Sequence, residues 1–496
     1  MSLENRSMLR STFVYVFIGF LPVAANFLLA PVYTKFLLPE EYALVGLATL
    51  FQTFLTFFLS LSLDGAFSKL YFDYERRPAL KNSILGTLLV AVIIASVVVT
   101  GILFLAGDRL FSLFFNSDIF RFTNFGYWVV IITFSNIIFT FFALLYRNEE
   151  KLKKFSLLNI LFFFIPVTCT LAGLMFFKNG ALSAITGRAI GSFAFIVVLL
   201  FMYFKKYRPV IRYKYFRIAL KFALPIIPYQ LMFAAFSNLD RFVLQKNFLP
   251  HDFGVYNFAV MVTGIVPVFL NALGNATNPR MYRELANNGN QELVRKYNYL
   301  NLFFSTGIIC LCIGGVVPAM RIIINKDYSD AYMYIGTLFL SFIPYLHYLV
   351  YNVPLFYFGK TRTFPVIALL ALLAGIAFDK FFIPLLGIWA VCFSLYIIRF
   401  VQALVAYYYI VKYRFDKLPY VQHSSLIFGS FVIILLYNAA LAVHLRFNVL
   451  PIDLINLLPL TSFVVLSIFI YKPEMNLSLA TLKSIRYLKL NRRILK

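Results

Sequence analysis

The chain has 496 residues, of which 61% are hydrophobic and 13% are charged, and its formal net charge is +25. Soluble domains carry about 25% charged residues, so this composition excludes an ordinary water-soluble protein and indicates one that folds in lipid. An excess of basic residues suggests nucleic acid only in a soluble protein. Here the membrane topology accounts for it, and we predict no nucleic-acid partner.

Apolar stretches of about twenty residues recur along the chain, and this is the length of α-helix that crosses about 30 Å of hydrocarbon. They predict an all-α membrane protein, since the short segments of alternating polarity typical of a membrane β-barrel do not occur. The first stretch is too long for the apolar region of a signal peptide, so we expect it to be retained. The predicted spans number fourteen: 11–34, 42–64, 84–106, 127–146, 155–177, 181–204, 218–245, 253–278, 298–319, 332–355, 363–378, 386–411, 424–445 and 454–471.

The distribution of lysine and arginine fixes the predicted topology. If the N-terminus is cytoplasmic, every inside segment holds at least as many of these residues as any outside loop, as the positive-inside rule requires. One span too many or too few would place the basic segments after it on the outer side of the membrane. We therefore expect both termini on the cytoplasmic side.

The chain is predicted to contain two lobes of six spans, since its first half repeats in its second. When the sequence is shifted by 211 residues, Lys35 falls on Lys246 and Pro39 on Pro250, and 7 of the 37 positions in 35–71 are identical. Parallel repeats of this kind build transporters whose site lies between the halves. The predicted parts are a first lobe, a basic linker, a second lobe, two further helices and a basic tail, at 1–205, 206–217, 218–415, 416–475 and 476–496.

Several charged residues fall at or near the outer ends of spans. A charge at the bilayer centre costs about 2.5–3.5 kcal/mol on the insertion scale, so it usually faces protein or water. Asp240 and Arg241 form either a local ion pair near the outer interface or part of the wall between the lobes. Lys35 and Lys246, at matching positions of the repeat, are either interfacial anchors or a cationic collar for an anionic ligand.

The eighth span carries three amides on one helical face, Asn271, Asn275 and Asn278. Amides do not face lipid unsatisfied, so this face meets either a partner helix or water. The second span repeats the polar face with Ser60 and Asp64, which favours the wall of a wet cavity.

Two arginines lie within predicted spans. Arg399 lies about 13 residues into the twelfth span, near 20 Å of helical rise, which is too deep to reach the surface comfortably, so we favour a functional role for it. Arg188 lies about 7 residues into the sixth span and is able to reach the outer surface. A buried structural partner is the alternative for either arginine.

Motifs for catalysis and for cofactor binding are absent from the sequence. The four cysteines and four histidines show no disulfide or metal-ligand spacing, and no phosphate-binding loop, zinc-protease motif or nucleophile elbow occurs. We therefore predict that the protein is not an enzyme and has no catalytic residue, no metal site and no cofactor.

Four segments resemble a known family. "TKFLLPEEYALVGLATL" with "LSLDGAFSKLYF", and "LDRFVLQKNFLPHDFGVYNFA" with "NATNPRMYREL", are similar to the polysaccharide biosynthesis proteins. These are the lipid-linked oligosaccharide (O-antigen) flippases of the multidrug/oligosaccharidyl-lipid/polysaccharide exporter superfamily. The resemblance covers roughly residues 10–415. One departure is Ala43, where the family usually has glycine, although Gly254 keeps it in the second copy.

The resemblance implies two lobes around a cavity lined by the first, second, seventh and eighth spans, in the inner membrane of a bacterium. It implies alternating access that flips an undecaprenyl-pyrophosphate-linked oligosaccharide to the outer leaflet. The implied partners are this polyprenyl-linked glycan, membrane lipid, and polysaccharide polymerase or assembly proteins. The matching motif positions are Lys35, Asp64, Lys69, Asp240, Arg241, Lys246 and Arg280, whereas Arg399 is not a motif position. The predicted substrate-binding residues are Lys35, Asp64, Asp240, Arg241, Lys246, Asn271, Asn275, Asn278 and Arg399.

Other functions stay open at this point. A peptidoglycan-precursor (lipid II) flippase also has fourteen spans. A drug/cation antiporter of the same superfamily shares the lobes, although residues 11–34 lack the acidic residue usual in its first helix. A polysaccharide polymerase or ligase, which is an enzyme, generally has a large outer loop with histidine and arginine, and this sequence has none. A pure scaffold would not need the polar faces.

Overall fold

A computed structural model describes residue 18 and the ranges 29–73, 78–115, 121–149, 151–177, 179–206, 212–224, 226–286, 291–415, 424–447 and 451–467. Every secondary-structure element in these ranges is a helix, which confirms the predicted all-α membrane fold. Eleven helices in this part of the chain are long and apolar enough to cross a membrane, and Ile452–Leu466 is a shorter apolar helix. The count of fourteen stays a prediction, because most of the first predicted span lies outside the described residues.

The chain forms two compact units, unit 1 with residues 1–261 and unit 2 with residues 262–496. The predicted lobes, divided by a linker at 206–217, stay a prediction. Residues 29–36 are helical and precede the first complete helix. The helices of unit 1 are α1 Pro39–Ser60, α2 Leu63–Asp73, α3 Pro78–Phe114, α4 Tyr127–Asn148, α5 Leu152–Phe176, α6 Gly180–Lys206, α7 Tyr213–Ala223, α8 Ile226–Ser237, α9 Leu239–Asn247 and α10 Pro250–Thr263, the last of which crosses the boundary.

Unit 2 contains the remaining helices and the chain's last two apolar segments. They are α11 Ile265–Ala286, α12 Gln291–Leu311, α13 Val317–Ile323, α14 Ala331–Leu340, α15 Phe342–Tyr357, α16 Thr363–Leu386, α17 Ile388–Lys412, α18 Ser424–Phe447 and α19 Ile452–Leu466. A π-helical turn, Cys312–Val316, joins α12 to α13.

Helix α1 begins where its sequence supplies a cap. Pro39 stands in the first turn, where its missing amide hydrogen leaves no helical bond unmade. The Glu41 carboxylate accepts a hydrogen bond from the Leu38 amide at 3.0 Å, which satisfies one of the free donors at the helix start.

The predicted second span, 42–64, is wrong as a single helix. Helix α1 ends at Ser60, and α2 begins at Leu63 after two left-handed residues, Leu61 and Ser62, with φ of 49° and 53°. Residues with a Cβ pay about 1–2 kcal/mol each in this conformation, so the surroundings must offset the cost. The Ser62 hydroxyl donates a hydrogen bond to Oε1 of Gln230 on α8, and this tertiary contact holds the corner.

The predicted seventh span, 218–245, is also wrong as a single helix, because three helices, α7, α8 and α9, cover it. Helix α7 ends at Ala223 and α8 begins at Ile226. Asn238 separates α8 from α9. Its side-chain Nδ2 donates to the Ala234 carbonyl at 2.9 Å, which competes with the backbone ladder.

In unit 2, helices α16 and α17 form a hairpin that turns at Gly387, whose φ of 56° suits glycine. The predicted eleventh span, 363–378, is too short, because α16 continues to Leu386. The added turns contain two charged residues, Asp379 and Lys380, which lower the local hydropathy. Asp379 is nevertheless buried, with 2% of its surface exposed.

The last two helices pack on the rest of unit 2. The ring of Phe303 on α12 lies 5.1 Å from that of Phe463 on α19. The Tyr437 hydroxyl on α18 donates to Oδ1 of Asn456 on α19 at 3.2 Å. Helices α18 and α19 are therefore part of the same core as α12.

Candidate functional site

Helix α9 carries three of the charged candidates and is held in place by one aromatic side chain. The Phe242 ring lies 5.3 Å from Phe54 of α1 and 6.1 Å from Phe115, which follows α3. Aromatic contacts of this kind contribute about 0.5–1.5 kcal/mol beyond the area they bury. They hold the short helix against α1 and the end of α3, and so determine where its polar residues lie.

Asp240 and Arg241 each have a neutral hydrogen-bond partner. Asp240 is 3% exposed and accepts a hydrogen bond from the Tyr256 hydroxyl at 2.9 Å. Arg241 is half-buried, and its Nη1 donates to Oδ1 of Asn238 at 2.9 Å. The ion pairs in the described ranges involve other residues. The Asn238 carboxamide oxygen orients the guanidinium, and as a neutral acceptor it adds no negative charge beside it.

Lys35 and Lys246 occupy equivalent places in the structure as well as in the sequence. Each is exposed, and each stands four residues before the proline that begins the next helix, Pro39 for α1 and Pro250 for α10. Lys246 lies in the last turn of α9. It is about 7–8 Å further along the helix axis than Arg241 and about 140° around it, so both can border one space without touching.

The two copies of the repeat pack against each other within unit 1. A Cβ added to Gly254 of α10 would lie 1.7 Å from the Pro39 carbonyl oxygen, and one added to Gly46 of α1 would lie 2.4 Å from Nδ2 of Asn257. Only glycine allows backbones or short side chains to approach so closely. Helices α1 and α10 therefore form one tightly packed element, and an exposed lysine stands four residues before the first residue of each helix.

Three further motif positions lie near the α1–α2 corner or in α11. Asp64 is half-buried in the first turn of α2, where the helix dipole stabilises a carboxylate. The side chains of Lys69 and Arg280 lie outside the described residues.

The predicted amide face of the eighth span lies on α11. Asn271 is exposed and Asn278 half-buried, and both line a cavity of about 240 Å³ in unit 2. The side chain of Asn275 lies outside the described residues. The same cavity is lined by residues that the sequence analysis missed, namely Asn298, Asn301 and Ser305 of α12 and Asn352 of α15. The sequence indicates those on α12, because Asn298, Asn301 and Ser305 are spaced three and four residues apart. They therefore lie on one helical face, as the amides of α11 do.

Arg399 of α17 lies against the junction of α14 and α15. Its Nη1 donates to the hydroxyl of Ser341, and its guanidinium carbon lies 3.6 Å from the centre of the Phe342 ring. These contacts tie α17 to the junction and match the structural alternative considered above. A role in substrate binding stays a prediction.

Arg188 of α6 is half-buried and lines a second cavity, of about 100 Å³, in unit 1. The cavity is also lined by Tyr33, Asn136, Thr170 and Ser192. Within the described ranges, no group of three or more His, Cys, Asp and Glu side chains is placed to hold a metal ion, and the four cysteines are free thiols.

Comparisons with known proteins agree with this architecture. The family model described as "Polysaccharide biosynthesis protein" matches residues 8–285, which is more than half of the chain. No curated protein sequence matches. Among solved structures, the lipid II flippase MurJ in an inward closed conformation is similar with a TM-score of 0.64 and 14% identity, over 94% of this chain and 100% of that one.

Multidrug transporters also share the fold. An inward-facing MATE family transporter of the MOP superfamily has a TM-score of 0.66 and 15% identity, over 83% of this chain and 100% of that one. A Vibrio cholerae MATE transporter has a TM-score of 0.52 and 12% identity, over 85% of this chain and 100% of that one. The chain is thus a multi-pass membrane protein with the fold of these transporters.

Proposed function

Because the chain belongs to the family of polysaccharide biosynthesis proteins, we propose that it flips a polyprenyl-pyrophosphate-linked oligosaccharide from the inner to the outer leaflet of a bacterial cytoplasmic membrane. Both termini would be cytoplasmic, and alternating access of the two predicted lobes would move the headgroup across. The structural relatives bear the names of a flippase and of transporters, which supports a transport function over an enzymatic one.

The observation that carries this proposal is that Arg241 is half-buried and its hydrogen-bond partner is a neutral side chain. A pyrophosphate that crosses hydrocarbon without compensation meets a very large desolvation cost. A half-buried guanidinium held by the neutral Asn238 side chain is available to offset part of that cost. Arginine binds phosphate oxygens in bidentate fashion, whereas lysine acts as a point charge, so Arg241 would orient the headgroup and Lys35 and Lys246 would attract it.

The buried Asp240 limits the strength of this interaction. Its carboxylate stands next to Arg241 in sequence and binds the Tyr256 hydroxyl. A negative charge in this position lowers the affinity of the site for an anion, and a flippase must release its cargo at the second leaflet.

Export in a strain that lacks the chromosomal gene tests the proposal. We expect Arg241→Ala to abolish surface polysaccharide at a normal level of inserted protein, and Arg241→Lys to keep part of the activity. Arg217→Ala, which removes an exposed arginine from α7, is the matched control and should leave export unchanged. Full export by an inserted Arg241→Ala variant would refute the role of this charge.

A lipid II flippase is the second candidate, favoured by the match over 94% of the chain to a structure of that name. The lipid that accumulates in the inner leaflet of the null strain separates the two candidates. Accumulation of a lipid-linked surface glycan supports the first proposal, and accumulation of the peptidoglycan precursor supports the second.

A further inference from the structure

The cavity of about 240 Å³ in unit 2 has a lining of amides without charge. None of the described residues that line it is acidic or basic. Its polar lining consists of Asn271 and Asn278 of α11, Asn298, Asn301 and Ser305 of α12, and Asn352 of α15. Five carboxamides and a hydroxyl thus converge from three helices on one space.

The sequences of α11 and α12 build this lining in the same way. Asn271, Gly274 and Asn278 follow one another at intervals of three and four residues, and so do Asn298, Asn301 and Ser305, so each set occupies one helical face. Gly274 keeps the space between the two α11 amides open, because it has no side chain.

Two amide atoms at the cavity are buried without a hydrogen-bond partner in the described part of the chain. They are Nδ2 of Asn298, a residue that is 2% exposed, and Oδ1 of Asn352. One is a donor and the other an acceptor. A buried polar atom without a partner costs about 1–3 kcal/mol, and both atoms are covered as the side chains stand, so turning the two amides toward a ligand that both accepts and donates would be stabilising.

The chemistry of the lining restricts the ligand. Among the described residues of the lining, an anion would find no cation and a cation no carboxylate, and an apolar group would leave the amides without partners. A hydroxyl group both donates and accepts, as the two atoms require. The cavity is several times the roughly 30 Å³ that one water occupies, and it is smaller than the ~300–1,000 Å³ sites of drug-sized ligands. A single polyhydroxylated ring fits both this volume and the need for groups that donate and accept.

We propose that this cavity binds one sugar ring of the lipid-linked glycan, so that unit 2 recognises the sugar and the cations of unit 1 recognise the pyrophosphate. This assignment rests on the function proposed above. It gives the protein separate recognition of the two parts of its cargo.

Binding to the purified full-length protein in lipid nanodiscs tests the assignment with two probes. One probe is undecaprenyl pyrophosphate without sugar, and the other is the lipid-linked oligosaccharide extracted from the null strain. We expect the unchanged protein to bind the sugar-bearing lipid at least about tenfold more tightly, which corresponds to about 1.4 kcal/mol or one to two hydrogen bonds.

Two variants should remove this preference by different routes. Asn298→Leu removes the buried donor, and Gly274→Leu fills the cavity, since a Cβ at position 274 meets only Nδ2 of Asn278, at 3.5 Å. If one variant fails to fold, the other still tests whether the cavity gives the preference for the sugar-bearing lipid. Gly315→Leu is the matched control, because a Cβ there meets nothing within 4 Å, and it should keep the full preference.

The outcomes distinguish this inference from the proposed function. Arg241→Ala should weaken binding of both lipids by the same factor, whereas the cavity variants should weaken only the sugar-bearing one. A folded Asn298→Leu or Gly274→Leu variant that still prefers the sugar-bearing lipid would show that the cavity does not recognise the sugar. If the unchanged protein binds neither lipid, the proposed function fails and this inference fails with it.

Discussion

Gly46 of α1 lies directly against the side-chain amide of Asn257 of α10, and these two residues are 211 positions apart, the offset of the internal repeat. Two positions that the sequence repeat equates are therefore in contact within unit 1. The contact also explains why one of the two is a glycine, since two side chains could not occupy the same position.

Gly46→Ala should lower the thermal stability of the purified protein. The new methyl group would lie 2.4 Å from Nδ2 of Asn257, so this side chain must move, and we expect overpacking of this kind to cost about 1–3 kcal/mol. The measurement is the melting midpoint in detergent. Asn257→Ala in the same chain should restore most of the loss, since it empties the space, and non-additivity of this kind is diagnostic of contact.

The control for this pair is Gly101→Ala on α3, where a Cβ meets nothing within 4 Å. It makes the same chemical change in a membrane-spanning helix and should leave the midpoint unchanged or raise it slightly, because alanine favours helix. A Gly46→Ala midpoint equal to that of the control would show that α1 and α10 are not packed as described.

Gly254→Ala should be more harmful than Gly46→Ala, and no side-chain trimming should rescue it. The obstacle is the Pro39 carbonyl oxygen, 1.7 Å from the new methyl group, and a backbone atom at a helix start has little room to move. We expect the amount of monodisperse protein recovered after detergent extraction to fall severalfold. A well-folded variant at normal yield would contradict the close approach of α10 to the start of α1.

Asn238→Asp should reduce export about tenfold or more at a normal protein level. The change keeps the shape of the side chain but gives Arg241 an acidic partner in place of a neutral one, and charge-paired hydrogen bonds contribute about 1.5–3 kcal/mol. Asn238→Ala and Asn238→Asp both lose the hydrogen bond from Asn238 to the Ala234 carbonyl, but alanine gives Arg241 no acidic partner, so its effect on export should be smaller. Equal export by all three proteins would show that the guanidinium charge does not act on the cargo.

Reporter fusions test the predicted topology. Fusions after residues 205 and 490 should read cytoplasmic, and a fusion near 115 should read outside, because basic segments stay on the cytoplasmic side. Position 205 lies at the end of α6 and 115 just after α3. An outside reading at 490 would mean that the number of spans has the wrong parity.

The sequence predicted most spans because about twenty consecutive apolar residues leave a chain in lipid few alternatives to helix. It failed at the corner of Leu61 and Ser62, where neither glycine nor proline marks the turn and a distant hydrogen bond decides the conformation. It also failed at α16, which continues past the predicted end at 378 and includes the charged but buried Asp379.

For the candidate site, the sequence could predict hydrogen bonds between residues close together on the chain, but not those between residues of different helices. Asn238 and Arg241 are three residues apart on adjoining turns, so their hydrogen bond follows from sequence spacing. The partner of Asp240 is Tyr256, sixteen residues away on another helix, and periodicity alone does not select it. The amides of α12 could have been recognised, since they repeat the spacing of those on α11.

The corner at Leu61 and Ser62 also has a consequence for biosynthesis. The hydrogen-bond partner of Ser62 at this corner, Gln230, lies 168 residues later in the chain. The ribosome must add all of these residues before the hydrogen bond can form. At about 5–20 residues per second this takes roughly 8–34 s, during which α1 is already synthesised and its strained corner is unsupported. The corner between α1 and α2 therefore cannot take its final conformation in the membrane until α8 has been synthesised and inserted.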